Sequence, residues 1–130
     1  MFDLKTRILL VDDMSVMRKI VGKAVRELGY TDIVEAADGQ LAWETLQSAS
    51  PAVGLIISDW NMPNCTGIDF LRRVRGDGRF KMLPFVLLTA ESEGKQVAEA
   101  VKAGVDNYVV KPFTADILKV KLEETFKRAS

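Results

Sequence analysis

The sequence predicts an α/β fold of the (βα)5 type: five parallel strands in one sheet with helices on both faces. Two observations carry this. Short aliphatic runs alternate strictly with segments of helical period, and the runs are almost continuously apolar, as strands buried on both faces must be. Right-handed crossovers then place helices on either side of the sheet.

Taking the elements in order, "RILLV" (7 to 11) reads as strand one. Val16, Met17, Ile20, Val21, Ala24, Val25 and Leu28 then repeat as one face of helix one, and Gly29 ends it, because a left-handed C-cap favours a residue without a Cβ. "IVEA" (33 to 36) is strand two. Asp38 before "GQLAWETL" is an N-cap starting helix two. "GLIIS" (54 to 58) and "FVLL" (85 to 88) are strands three and four. Val97, Ala98 and Val101 mark the inner face of helix four, which stops at Gly104. "YVV" (108 to 110) is strand five. Thr114 caps helix five, "ADILKVKLEETF", with Phe113 and Leu118 spaced as a hydrophobic staple.

The 130 residues suit one domain and show no linker, repeat or low-complexity tract; helix five ends the chain, leaving no room for an output domain. Eighteen basic residues balance eighteen acidic ones, so no global field favours nucleic acid or a membrane surface. The N-terminal apolar run is too short for a signal peptide or span, which predicts a cytoplasmic protein. One cysteine, Cys65, rules out an intrachain disulfide and reads as an unremarkable loop thiol. The absence of histidine removes Ser-His, Cys-His and imidazole-metal chemistry.

In an open parallel sheet, ligands gather at the carboxyl ends of the strands. Asp12 and Asp13 follow strand one, Asp59 strand three, Thr89 strand four and Lys111 strand five. Taken singly, each has an ordinary reading as a cap, turn or solvated side chain. Together they demand a counter-charge, since carboxylates about 4 Å apart at an effective dielectric of about 20 repel by about 4 kcal/mol per pair. Mg²⁺ suits that donor set and, with Lys111, offsets the three negative charges. The balance points to phosphoryl transfer: Asp59 as nucleophile, Lys111 on the phosphoryl oxygens, Thr89 as hydroxyl donor. A P-loop is excluded, because the "GKA" at Gly22 and "GKQ" at Gly94 lack the upstream glycine and the following Ser or Thr. No G-x-G-x-x-G follows strand one, which argues against a dinucleotide site.

The segments "ILLVDD", "SVMRKIV", "ELGY", "EAADG", "ISDWNMPN", "LPFVLLTAE" and "NYVVKPFTA" run nearly end to end, and in order and spacing they strongly resemble the receiver domains of bacterial two-component response regulators. Within that family the likeness is greatest to the single-domain regulators of chemotaxis. The resemblance implies the flavodoxin-like strand order 2-1-3-4-5. It further implies that Asp59 is the phosphoacceptor; that Asp13, Asp59 and the main-chain carbonyl of Asn61 bind Mg²⁺ directly, with Asp12 acting through water; and that Lys111 contacts the acyl phosphate, next to a cis Lys111-Pro112 bond. Thr89 and Tyr108 would be the switch residues, Thr89 moving toward the phosphoryl group and Tyr108 turning from exposed to buried. Asn61 and Glu91 would tune the hydrolysis rate. Trp60, by its own chemistry a partly exposed rim aromatic, would report on the site.

The implied partners are a sensor histidine kinase as donor and a flagellar motor switch protein as target, reached through helix four, strand five and helix five of a monomer; whether a dedicated phosphatase assists is left open. The chain would then be no conventional enzyme, catalysing only its own phosphorylation and dephosphorylation. A phosphorelay intermediate, passing its phosphate to a histidine phosphotransfer protein, is the alternative output. A phosphatase of the haloacid-dehalogenase type is disfavoured, since Asp12 and Asp13 are adjacent and leave no D-x-D motif. Two segments depart from the family pattern: "CTG" at 65 to 67, which touches no ligand position, and "SEGKQ" at 92 to 96, on a surface the family uses for partners.

Overall fold

The computed structural model describes residues 2–90 and 95–129. Among them, β1 (Ile8–Val11), β2 (Ile33–Ala36), β3 (Leu55–Asp59), β4 (Phe85–Thr89) and β5 (Asn107–Val110) alternate with α1 (Ser15–Glu27), α2 (Gly39–Ser48), α3 (Gly67–Arg75), α4 (Lys95–Ala103) and α5 (Ala115–Ala129). All pairings are parallel and the sheet order is β2-β1-β3-β4-β5. This agrees with the fold expected from the sequence, with strand ends shifted by a residue.

The period of two along each strand divides the core into two layers. Leu9, Val11, Ile56, Phe85 and Leu87 face one cluster with Ala42, Leu46, Phe70, Leu71, Val74 and Ala100, from α2, α3 and α4. Ile8, Leu10, Leu55, Ile57, Val86, Leu88 and Val109 face the other with Val21, Ala24, Val25, Leu118 and Leu122, from α1 and α5. Burial on both sides is why β1, β3 and β4 read as nearly continuous apolar runs.

Gly29 and Gly104 have φ of 106° and 91°, the left-handed geometry expected past α1 and α4. Asp38 caps α2 by accepting from Leu41 N at 2.8 Å, and Thr114 Oγ1 accepts from Ile117 N at 3.2 Å. Phe113 packs against the cluster holding Leu118, as the staple spacing predicts.

Two helix faces differ from expectation. Val16 and Ile20 are 61% and 49% exposed, and the buried residues of α1 are Val21, Gly22, Ala24 and Val25. Among the described side chains of α4, Ala100 is buried while Val101 is 63% exposed; the inner face is turned by one residue, about 100° of helix rotation, from the face the spacing suggested.

Cys65 also differs from an unremarkable loop thiol: it is buried against the α2 N-terminus. Burial pushes its thiol pKa up, partly opposed by Arg73, so less thiolate is present at a given pH. Alkylation by iodoacetamide in native buffer at neutral pH is therefore expected to be at least about tenfold slower than in denaturant, followed by mass spectrometry.

Candidate functional site

The parallel register brings the site together. Val11 pairs with Ser58, so Asp12 comes level with Asp59, at the place where the chain leaves β1 for one side of the sheet and β3 for the other. Backbone bonds carry the ladder past the strand ends: Asp12 N to Ala36 O at 3.1 Å, Trp60 N to Leu88 O at 3.1 Å and Lys111 N to Thr89 O at 2.8 Å. The Lys111-Pro112 bond is cis.

Strand alternation also sorts the polar residues. Asp12, Asp59 and Lys111 continue the parity of Leu10, Ile57 and Val109, toward the α1 and α5 side. Thr89 continues the parity of Phe85 and Leu87, the side on which Tyr108 packs. Tyr108 is half-buried, with the Lys121 ammonium 5.5 Å from its ring centroid. Trp60 falls on that second side too. It is only 7% exposed and belongs to the core, which corrects the expectation of a rim aromatic.

Lys111 Nζ donates to Asp59 Oδ1 at 2.6 Å and lies 3.9 Å from Asp12 Oδ2. Asp12 and Asp59 are 3% and 8% exposed, whereas Asp13 is exposed. One oxygen of each of the three carboxylates falls within 4.8 Å of the others. Burial raises the pKa of Asp12; Met14 N and Lys111 oppose that rise, and the Asp59 and Asp13 charges add to it. Asp12 Oδ1 accepts from Met14 N at 2.9 Å, but its buried Oδ2 has no hydrogen-bond partner among the described residues. A buried, unsatisfied carboxylate oxygen beside two other carboxylates offers donors that suit a hard divalent cation, so these residues fit Mg²⁺.

That fit has a measurable consequence. Mg²⁺ at about one hundred times its dissociation constant should stabilise the fold by about 2.7 kcal/mol. Asp13→Asn should instead melt a few degrees higher in metal-free buffer, from losing repulsions of roughly 1 kcal/mol or less, and should forfeit most of the Mg²⁺ gain in calorimetry.

Asn61 lies exposed in the loop after β3, and Glu91 lies outside the described residues. Sequence reading missed Arg18. Its guanidinium donates to the Asp12 carbonyl at 2.5 Å and to Glu35 Oε1 at 3.0 Å, fastening the turn that presents Asp12 and Asp13. A basic residue in the first turn of α1, just after two aspartates, was the available signal.

Known proteins place this arrangement. Residues 8–123 match the family model described as response regulator receiver domain. The chain is 49% identical over 124 residues to chemotaxis protein CheY of Pseudomonas aeruginosa, covering 95% of this chain and 98% of that one. It is 47% identical over 117 residues to chemotaxis protein CheY1 of Helicobacter pylori, covering 90% and 94% respectively. Among solved structures, chemotaxis response regulator CheY4 of Vibrio cholerae superposes with a TM-score of 0.84 at 33% identity, over 93% of this chain and 98% of that one. With its acidic cluster and lysine at the carboxyl edge of a 2-1-3-4-5 sheet, the chain belongs to the response regulator receiver domain family.

Proposed function

We propose that this chain is a phosphorylation-activated switch of the chemotaxis type, taking a phosphoryl group on Asp59 from a sensor histidine kinase in a Mg²⁺-dependent reaction. The observation that carries the reading is the 2.6 Å contact of Lys111 Nζ with a buried Asp59 carboxylate inside a three-carboxylate cluster. Asp12, Asp13, Asp59 and the Asn61 carbonyl would hold Mg²⁺, which when bound neutralises charge on the phosphoryl oxygens.

The chain's own residues do the rest. An Asp59 oxygen forms the new O–P bond as the donor's bond to phosphorus breaks, and a carboxylate needs no base to act as nucleophile. Lys111 exchanges its Asp59 contact for a phosphoryl oxygen, and the Thr89 hydroxyl donates to another. Thr89 and Tyr108 share one face of the sheet, so a shift of Thr89 toward the phosphate alters the packing available to Tyr108.

Two surfaces support the partner assignments. Beside Lys111, an open, largely apolar hollow of about 500 Å³ is bordered by Met17, Ile20, Pro112 and Phe113, and it suits docking of the donor. Val101, Ile117 and Val120 are exposed on α4 and α5, the helices before and after β5, and suit an output partner, which we take to be the flagellar motor switch.

Incubation with a small acyl phosphate and Mg²⁺, followed by peptide mass spectrometry, should place one hydroxylamine-sensitive phosphoryl group on Asp59. Label on any other residue, or none, would overturn the assignment.

A further inference from the structure

Asp38 uses its two oxygens for two different purposes. Oδ1 accepts from Leu41 N at 2.8 Å, capping α2, while Oδ2 accepts from Asn64 Nδ2 at 3.0 Å. The residue is 8% exposed, and these two donors hold its carboxyl below the usual carboxylate range.

Asn64 belongs to the loop joining β3 to α3 and stands at φ 66°, a conformation that asparagine tolerates better than most residues. A second tie lies alongside: Gly39 N donates to Cys65 O at 3.3 Å. A Cβ on Gly39 would lie 2.7 Å from that carbonyl oxygen and 2.6 Å from Cys65 Sγ, so the loop is seated against the start of α2. Within the loop, Cys65 N donates to Pro63 O at 2.6 Å and Gly67 N to Trp60 O at 2.9 Å. These bonds close residues 60 to 67 into one compact turn. Asn61, three residues before Asn64, sits in that turn.

We infer that Asp38 is a positioning residue which, through Asn64, sets the place of the Asn61 main-chain carbonyl and thereby the affinity of the acidic cluster for Mg²⁺. This rests on the metal contacts proposed above. Among the described residues, the Asp38 carboxylate bonds to Asn64 and to the start of α2, and neither of these two bonds reaches the carboxylate cluster.

Asn64→Gly isolates the tie, because it removes Nδ2, leaves the net charge unchanged and accepts the positive φ. Asp38→Ser keeps an oxygen for Leu41 N and so retains the cap, but no longer reaches Asn64. Mg²⁺ binding to the full chain, measured by calorimetry, should weaken about tenfold in Asn64→Gly, the size expected for losing an outer-shell partner. In the Asp38→Ser background, Asn64→Gly should have no further effect, since both cut the same connection. Metal-free hydrogen exchange at residues 61 to 65 should quicken in each single variant.

Wild-type Mg²⁺ affinity in Asn64→Gly would reduce Asp38 to a helix cap and overturn the inference. An undiminished loss in the Asp38→Ser background would overturn it too, by showing that glycine merely loosens the chain. No Mg²⁺ binding by the wild type would overturn the metal site, and the inference with it.

Discussion

Asp59→Asn is expected to take up no phosphoryl group from either a phosphohistidine donor or a small acyl phosphate, so that intact mass stays constant where the wild type gains one phosphoryl unit. The neighbouring carboxylates offer no substitute. Asp12 is nearly inaccessible, one of its oxygens is occupied by Met14 N, and burial disfavours its charged form. Asp13 is exposed and makes no ion pair with Lys111, the cation that would offset charge on the transferring group. Asp59 alone combines contact with that ammonium at 2.6 Å and a place on the last residue of a central strand. An asparagine there keeps the shape and a hydrogen-bond acceptor for Lys111 but has no nucleophilic oxygen.

Lys111→Ala separates acceptor from charge stabiliser. It should still be labelled on Asp59, more slowly by about 10²- to 10³-fold, the usual cost of deleting one electrostatic contact to a developing charge. Rates from the two variants, read side by side with the same donor, distinguish a missing nucleophile from a missing cation.

Why so much of this was legible before the structure follows from where the signals lie. Strands covered on both faces must be apolar throughout, helices that end in a left-handed turn favour glycine, and the sheet's carboxyl edge collects whatever follows each strand. All three are local features of the chain. What the sequence hid is long-range or depends on parity. Trp60 looked like a rim residue because it adjoins a reactive carboxylate, yet strand alternation sends neighbours to opposite sides, and it enters the core. Val101 looked like a core residue because it is aliphatic, while the smaller Ala100 beside it is the one buried.

The same limit applies to the polar network. Asp38 to Asn64 spans 26 positions. Arg75 donates to Gly104 O at 2.8 Å, Leu83 O at 2.6 Å and Asp106 Oδ2 at 2.8 Å, and Asp106 Oδ2 also accepts from Phe85 N at 2.8 Å. These bonds join α3 to the entries of β4 and β5, and no local pattern announces them.

Gly67→Ala is expected to destabilise the fold by at least about 3 kcal/mol, measured by urea denaturation, and to impair phosphorylation in whatever fraction folds. A Cβ at this position would lie 2.2 Å from the Asp59 carbonyl oxygen, 3.1 Å from its carbonyl carbon and 3.0 Å from Leu87 Cδ2. The first two are backbone atoms of a central strand, so no rotamer change relieves them; either α3 or the end of β3 must move. Moving α3 breaks the Gly67 N to Trp60 O bond at 2.9 Å, and with it the turn that holds Asn61. Moving β3 displaces Asp59 from Lys111. Both routes join stability to function at one methyl group, which an effect confined to helix propensity would not do, since alanine is the better helix former. Gly78→Ala is the matched control: an added Cβ there meets nothing within 4 Å, and both stability and labelling should stay near wild type.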